Sequence, residues 1–100
     1  MNAKVLIDPS KLEIKDNLNV GYIYLLKNSV TNMCYVGQTV DFHKRISEHR
    51  RAQDTCHYLN RAIKKYGWEK FSSEILEICS LEMLNEREIF WKEKFFGLKN

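Results

Sequence analysis

Cysteine is scarce in this sequence, and its pattern excludes two kinds of scaffold. The three cysteines, Cys34, Cys56 and Cys79, are odd in number and widely spaced. They form no Cys-x-x-Cys pair and no Cys/His ligand pattern, which argues against a disulfide framework and against a structural zinc site. Free thiols are typical of reducing compartments, so we expect an intracellular protein.

Long apolar runs are also absent. No window approaches the roughly 18 apolar residues that cross a bilayer, and the first twenty residues lack the apolar run of a signal peptide. We therefore expect a soluble protein without a membrane segment. A chain of 100 residues with 44% hydrophobic and 29% charged residues has the profile of a single domain, because this length buries about two-thirds of its unfolded surface.

Charge of one sign is concentrated in the middle of the chain. The formal net charge of +3 is too small to indicate a polyanionic partner by itself. Between His43 and Lys65, however, seven Lys or Arg stand against two acids, a net +5, whereas the rest of the chain sums to −2. This distribution is typical of a surface that contacts phosphates, although two solvated helix faces produce the same pattern.

The β-structure is predicted from residue type and spacing. The segments 22–26 and 34–37 are rich in β-branched and aromatic residues and flank a turn-forming stretch at 28–32, which predicts a β-hairpin. Residues 71–78 predict a third strand. Residues 1–19 give only weak patterns and are predicted to be a lead-in to a domain over 20–100.

Three helices are predicted from helical spacing and end signals. Asp41 is suited to cap a helix over about 41–51, and Gly67 is suited to the left-handed residue that ends a helix over about 57–66. Ser80 is suited to cap a last helix from Leu81 to about Phe96. The order is therefore β-β-α-α-β-α, an α+β fold with a small, mainly antiparallel three-stranded sheet flanked by helices.

One carboxylate interrupts the apolar stripe of the last helix. Position 88, a glutamate, falls at helical spacing among apolar residues: Leu81, Leu84, Trp91 and Phe95. Burying an unpaired carboxylate costs several kcal/mol. Four explanations of Glu88 are therefore open. It pairs with a cation such as Arg45, it reaches solvent through a rotation of the helix, it binds a metal ion, or it lies at the mouth of a pocket.

Further polar groups stand beside apolar positions. Arg45 and His49 are four residues apart on one face of the first helix, and Tyr22, Tyr24 and Tyr35 occupy the hairpin. Each has an ordinary interpretation, as surface residues or sheet packing. Together with one carboxylate they suit phosphodiester hydrolysis, which needs an attacking water, neutralised phosphate oxygens and a stabilised leaving oxygen. A single carboxylate can hold a Mg²⁺ that keeps most of its waters.

Five elements in order resemble the GIY-YIG nucleases over about residues 20–96. Four of them are Tyr22-Ile23-Tyr24, Tyr35-Val36-Gly37, Arg45-x-x-x-His49, and Glu88 ahead of Phe90-Trp91, with the interval from Tyr24 to Tyr35 that this family has; the fifth is the stretch that begins at His57. The first motif departs from the family pattern, because Gly21 lies one residue early and Tyr22 takes its place. The stretch from His57 to Gly67, with Phe71 and Glu74-Ile75-Leu76-Glu77 after it, is similar to the phage and intron homing branch.

The resemblance implies a role for each site residue. Tyr24 would deprotonate the water, which requires lowering a phenol pKa of about 10. Tyr35 would bind the phosphate or the water, Arg45 the scissile phosphate, and His49 would orient groups or relay a proton. Glu88 would be the sole protein ligand of Mg²⁺ or Mn²⁺, with His57 as a secondary catalytic candidate. Gly37 would leave backbone room, and Tyr22 would support the site.

DNA is the partner that the resemblance implies, in the cytoplasm of a bacterium or infected cell or in a nucleus. Target selection would come from a tethered recognition domain, a dimer partner or DNA shape. Alternatives are a structure-specific or repair-type nuclease, a non-catalytic nucleic-acid-binding module, and a protein-interaction domain with Trp68 and Phe96 exposed. Five basic residues are predicted to contact phosphates without sequence preference: Lys44, Arg50, Arg51, Lys64 and Lys65.

Overall fold

The strands and helices follow one another in the predicted order. A computed structural model describes residues 19–53 and 56–97, so the predicted lead-in lies outside the described residues except for Asn19. The elements are β1 (Val20–Asn28), β2 (Cys34–Thr39), α1 (Phe42–Arg50), α2 (His57–Tyr66), β3 (Phe71–Ser80) and α3 (Leu84–Phe96). Short 3₁₀ turns at Trp68–Lys70 and Leu81–Met83 precede β3 and α3. The predicted α+β class is confirmed.

The three strands form one antiparallel sheet in the order β2-β1-β3. The hairpin that the sequence predicted makes β1 and β2 neighbours, and it places Tyr24 opposite Gly37. On the other side of β1, Tyr24 lies opposite Ile75, with a shift in register between Ile23 and Tyr24. β1 is therefore central, and β2 is an edge strand.

The sheet has helices on both faces. Successive side chains of β1 point to opposite sides of the sheet, and each set packs against different helices. On one side, called here the tyrosine face, buried residues of β1 pack with residues of α1 and α2: Tyr22, Tyr24, Leu26, Phe42, Leu59 and Ile63. On the other side, called the α3 face, residues of β1 and β2 pack against α3: Ile23, Leu25, Val36, Leu84 and Trp91. Side chains of β1 thus belong to two separate cores.

The ends of α1 and α2 show one agreement with the sequence prediction and one difference. The Asp41 side chain accepts a hydrogen bond from the backbone N–H of Lys44 at 3.1 Å, so the predicted N-cap is confirmed. Gly67 ends α2 with φ +92° and ψ 141°, which is not the left-handed helical conformation that was predicted. Its extended ψ leads the chain into the turn before β3.

The start of α3 differs from the prediction. The α-helix begins at Leu84, and the Ser80 side chain makes no capping bond because Ser80 is the last residue of β3, opposite Val20. The intervening 3₁₀ turn has about 3.0 residues per turn, so Leu81 leaves the stripe and is 43% exposed. Only Leu84 and Trp91 of the predicted apolar stripe are buried.

A polar contact sets the rotation of α3 on the sheet. Glu77 of β3 accepts hydrogen bonds from Arg87 Nε and from Trp91 Nε1, both at 2.8 Å. Trp91 is 1% exposed, so its indole N–H needs such a partner inside the protein. Arg87 is thus held over β3. The next residue of α3, Glu88, contacts β2 instead, through Gln38.

Two further features concern the cysteines and the length of the helices. The three cysteines are free thiols, and each is partly buried. Within residues 19–53 and 56–97, no helix is both long and apolar enough to cross a bilayer.

Candidate active site

The centre of the tyrosine face is a hydrogen-bonded group of three side chains. The phenol oxygen of Tyr24 lies 2.8 Å from Nε2 of His49, and Arg45 Nε donates to the same oxygen at 3.3 Å. Arg45 and His49 are one helical turn apart on α1, so both reach the middle of β1. Tyr24 and His49 are fully buried.

Tyr35 completes this group through ring contacts. Its ring centroid lies 5.5 Å from that of His49 and 6.3 Å from that of Tyr24. Tyr35 is half-buried on the edge strand, opposite Leu26 of β1. Tyr24, Tyr35, Arg45 and His49, called here the tyrosine cluster, are thus four predicted catalytic residues that the fold brings together.

Gly37 leaves the space that the Tyr24 phenol occupies. A Cβ atom at position 37 would lie 2.6 Å from the Tyr24 phenol oxygen, 2.7 Å from its Cζ and 3.0 Å from Cε1 of Tyr35. These distances are shorter than van der Waals contacts, so any larger residue would displace the rings. Tyr22, also predicted to support the site, is buried on the same face with its ring centroid 6.4 Å from that of Phe42.

Arg45 has an acidic neighbour that the sequence reasoning missed. Arg45 Nη1 lies 3.0 Å from Glu48 Oε1, and the two side chains are 27% and 29% exposed. The guanidinium therefore joins the buried Tyr24 phenol to a carboxylate near the surface. A phosphate that approaches Arg45 must compete with Glu48.

Glu88 has different partners from the one considered in the sequence analysis. Its Oε1 accepts a hydrogen bond from Gln38 Nε2 at 2.7 Å, and its Oε2 lies 3.4 Å from Lys92 Nζ. The same Gln38 nitrogen lies 2.8 Å from Asn85 Oδ1. The Glu88 side chain is 19% exposed. A pair with Arg45 is therefore wrong as an explanation of this carboxylate, since the charge is balanced by Lys92 on its own helix.

The candidate site is divided by the edge strand. Gly37 lies against the Tyr24 ring on the tyrosine face, whereas Gln38, the next residue, reaches Glu88 on the α3 face. Side chains of a strand alternate between faces, so the tyrosine cluster and Glu88 are on opposite sides of the sheet. The adjacent residues Gly37 and Gln38 of β2 connect the two parts, since Gly37 lies against Tyr24 and Gln38 donates to Glu88.

The donor set near Glu88 suits only one kind of metal binding. Among the described residues, no three His, Cys, Asp or Glu side chains lie together as a metal cluster. One partly exposed carboxylate, oriented by an amide, fits a hard cation that keeps most of its water and takes further oxygen ligands from a substrate. Mg²⁺ binds in this way, and softer ions that prefer His or Cys ligands do not fit.

The remaining predicted residues lie on the helices of the tyrosine face. His57 is exposed at the first residue of α2, and in the described part of the chain it has no hydrogen bond or ring contact with the tyrosine cluster. The five predicted phosphate-contact residues are all exposed, on α1, at its C-cap and on α2: Lys44, Arg50, Arg51, Lys64 and Lys65. Of these, Arg51 is held by Ser47 Oγ at 2.7 Å.

Three residues that contact the site were not predicted: Glu48, Lys92 and Gln38. The spacing along the sequence indicates the first two but not the third. Glu48 stands three residues after Arg45, and Lys92 stands four after Glu88, so helical spacing predicts both pairs. Gln38 is 50 positions from Glu88. No local pattern connects them, because their contact depends on how α3 packs against β2.

Three comparisons with known proteins agree on the kind of domain that this chain resembles. A family profile described as the GIY-YIG catalytic domain matches residues 20–97. The probable intron-encoded endonuclease 1 of Neurospora crassa is 35% identical over 82 residues, covering 82% of this chain and 26% of that protein. The intron-associated endonuclease 1 of Enterobacteria phage T4 is 39% identical over 75 residues, covering 69% of this chain and 30% of that protein.

The solved structures give the same result. The catalytic domain of the homing endonuclease I-TevI superposes with a TM-score of 0.63 at 30% identity, over 74% of this chain and 86% of that one. A mutant of the same domain gives the same TM-score over 75% of this chain and 82% of its own. The chain thus spans about a quarter to a third of the curated relatives but most of the isolated catalytic domain.

Proposed function

The chain belongs to the GIY-YIG catalytic domain family, and from that membership we propose that it is a DNA endonuclease that uses one Mg²⁺ or Mn²⁺ ion. Its relatives are named as intron-encoded and intron-associated endonucleases, which favours a homing or nicking enzyme over a repair nuclease. The single observation that carries the proposal is the Tyr24 phenol between His49 Nε2 and Arg45 Nε, across the β2 edge from Glu88.

In this proposal the scissile phosphate lies at the β2 edge, where Gly37 leaves the backbone bare. Arg45 exchanges its contact with Glu48 for a non-bridging phosphate oxygen. The exchange is accessible to DNA because both side chains are partly exposed. An arginine–phosphate contact is charge-assisted and can be bidentate. Glu88 approaches the same phosphate from the α3 face, so the two halves of the site contact one group from opposite sides.

Tyr24 and His49 act on the attacking water. The short contact between Tyr24 Oη and His49 Nε2 lets the imidazole accept the phenol proton when Nε2 is unprotonated. The phenolate, still close to the positive charge of the Arg45 guanidinium, then takes a proton from water. Tyr24 is fully buried, so water reaches its oxygen only after a neighbouring side chain moves. Arg45 is the partly exposed member of the group and is drawn outward by the phosphate.

Glu88 is the metal ligand in this scheme. Gln38 holds one carboxylate oxygen, which leaves Oε2, now beside Lys92, to bind the ion. A bound Mg²⁺ supplies stabilisation of negative charge on the leaving oxygen. Tyr35, a partly exposed member of the tyrosine cluster, contacts the phosphate or the water through its hydroxyl.

The basic residues of α1 and α2 hold the DNA backbone in this proposal. They are exposed on the two helices that pack on the tyrosine face, where they can make sequence-independent phosphate contacts. A domain of this size has limited surface for reading bases. Target selection is therefore assigned to a tethered recognition domain or to a dimer partner.

A plasmid assay tests the proposal. Supercoiled plasmid incubated with the protein and Mg²⁺ or Mn²⁺ should be nicked or linearised, and EDTA should stop the reaction. Glu88→Ala and Arg45→Ala should fold and lose cleavage, while an exposed variant outside the site, Glu86→Ala, should cut normally. Near-normal metal-dependent cutting by either site variant would contradict the assigned roles. Binding without any cutting would favour the non-catalytic module instead.

A further inference from the structure

A cavity lies beside the tyrosine cluster and takes no part in the hydrolysis described above. Its volume is about 390 Å³, and it opens between the hairpin turn and α2 on the tyrosine face. Tyr35 lines it and also contacts His49 of the cluster. The volume falls at the small end of the range of ~300–1,000 Å³ for ligand pockets. A ligand in the cavity would therefore contact Tyr35, which in turn contacts His49 of the tyrosine cluster.

The lining of this hairpin–α2 cavity combines aromatic rings with positive charge. Tyr58 and Tyr66 of α2 and Phe71 of β3 join Tyr35 around it, and within residues 19–53 and 56–97 no acidic residue lines it. Arg61 and Lys65 lie on the same face of α2, four residues apart, and both are exposed. Tyr58 lines the cavity and is 61% exposed, so its ring is accessible to a ligand.

The cavity also has a polar group with unused hydrogen-bonding capacity. Asn28 is 2% exposed, and its Oδ1 accepts a bond from the backbone N–H of Val30 at 2.9 Å. Among the described residues, its amide NH₂ group donates no hydrogen bond. The amide nitrogen is not among the fully buried unpartnered atoms of the described residues, so it keeps some accessible surface. An asparagine NH₂ can donate to the ring nitrogens and carbonyl oxygens at the edge of a nucleobase.

We propose that the hairpin–α2 cavity binds an unstacked nucleobase of the DNA strand whose phosphate reaches the tyrosine cluster. This inference rests on the proposed endonuclease function. Tyr58 stacks on the base, Arg61 and Lys65 hold the phosphates beside it, and Asn28 donates to the base edge. An apolar small molecule would use the rings but neither the cations nor the amide. A nucleotide uses all three, and base–aromatic stacking tolerates any sequence because every base has a π-face.

The test compares two single-stranded probes of equal charge in EDTA, so that no cleavage occurs. One is a fluorescein-labelled oligothymidylate of about twelve nucleotides, and the other has the same backbone with an abasic site at every position. Fluorescence anisotropy gives both affinities. The intact protein should bind the thymidylate about tenfold more tightly than the abasic strand, and Tyr58→Ala should remove most of that preference. Phe96→Ala, which removes an exposed ring from α3, should leave it unchanged.

Two more variants separate base recognition from charge. Asn28→Asp keeps the oxygen that accepts from Val30 but removes the NH₂ donor. It should lower the ratio of the two affinities about threefold, whatever its added charge does to both. Arg61→Gln should weaken binding to both probes by the same factor and leave the ratio unchanged.

The outcomes also separate this inference from the proposed function. Equal affinity for the two probes, a base preference that survives Tyr58→Ala, or no binding to either probe would overturn the nucleobase assignment. Plasmid cleavage without a base preference would leave the endonuclease proposal intact and remove only the cavity assignment. A Tyr58-dependent preference without plasmid cleavage would support the cavity assignment and contradict the endonuclease.

Discussion

The phenol oxygen of Tyr24 and Nε2 of His49 are 2.8 Å apart, and both side chains are fully buried between the sheet and α1. A buried hydrogen bond of this kind contributes to folding and is also a route for a proton. The two roles are separable, because removing the hydroxyl keeps the ring that packs against Phe42 at 6.2 Å.

Tyr24→Phe should abolish cleavage and leave DNA binding largely intact. The variant leaves the imidazole without its phenol partner, which should lower the free energy of unfolding by about 1–3 kcal/mol. Plasmid nicking, filter binding and urea denaturation measure the three quantities. Tyr22→Phe, on the same face but outside the hydrogen-bonded group, is the matched control and should cut normally. Equal loss of binding and cleavage in Tyr24→Phe would indicate a structural role only.

Gly37→Ala should displace the Tyr24 phenol and abolish cleavage. Overpacking of this kind costs about 1–3 kcal/mol in stability. Gly21→Ala provides the control, because a Cβ atom there would lie 2.6 Å from Leu84 carbons on the α3 face. It should be comparably destabilised in thermal unfolding and keep its activity at low temperature. If both variants cut equally well, the space beside Gly37 is not needed for the reaction.

Glu48→Gln should tighten DNA binding, because it releases the Arg45 guanidinium for phosphate. Exposed ion pairs contribute roughly 0.2–1 kcal/mol, so the expected gain is about 2-fold to 5-fold in affinity at low salt, with little change in stability. Glu86→Gln removes the same charge from an exposed position on α3 and controls for net charge. Identical gains in the two variants would show that Glu48 acts through overall charge and not through Arg45.

Gln38→Ala should raise the Mg²⁺ concentration needed for half-maximal cleavage by about tenfold, as expected when a group that orients a metal ligand is lost. Cleavage at saturating Mg²⁺ should stay within a few-fold of normal. The Mg²⁺ dependence of nicking distinguishes this from misfolding, which lowers activity at every metal concentration. An unchanged Mg²⁺ dependence would mean that the amide does not position Glu88.

Lys92→Gln should have the opposite effect. The ammonium group lies 3.4 Å from Glu88 Oε2, so in the proposed scheme it would compete with the metal ion for that oxygen. Removing it should lower the half-maximal Mg²⁺ concentration by a few-fold, because a surface ion pair is weak. Lys94→Gln, two residues along the same helix, is the control. A rise in the Mg²⁺ requirement would instead show that Lys92 contacts the DNA.

Most of the fold could be predicted from local patterns. Three predictions depend only on neighbouring residues: the β-branched and aromatic content of the hairpin strands, the Asp41 cap, and the helical spacing of α1 and α2. The corresponding elements are all present in the structure. The start of α3 could not be predicted in this way. Ser80 and Leu81 carry ordinary helix-start signals, but Ser80 pairs with Val20 across the sheet, and that pairing delays the helix until Leu84.

The sequence by itself determined the α+β order, the membership that the motifs imply, and the presence of a tyrosine pair, an Arg/His pair and one interrupting glutamate. These follow from spacing along the chain, which local geometry converts into shared faces. Only the tertiary structure decided that Glu88 lies across the β2 edge from Tyr24 and is oriented by Gln38. It also decided that Glu48 forms a salt bridge with Arg45 and that Tyr35 lines a cavity. Those contacts join strands and helices whose relative placement depends on how the whole core packs.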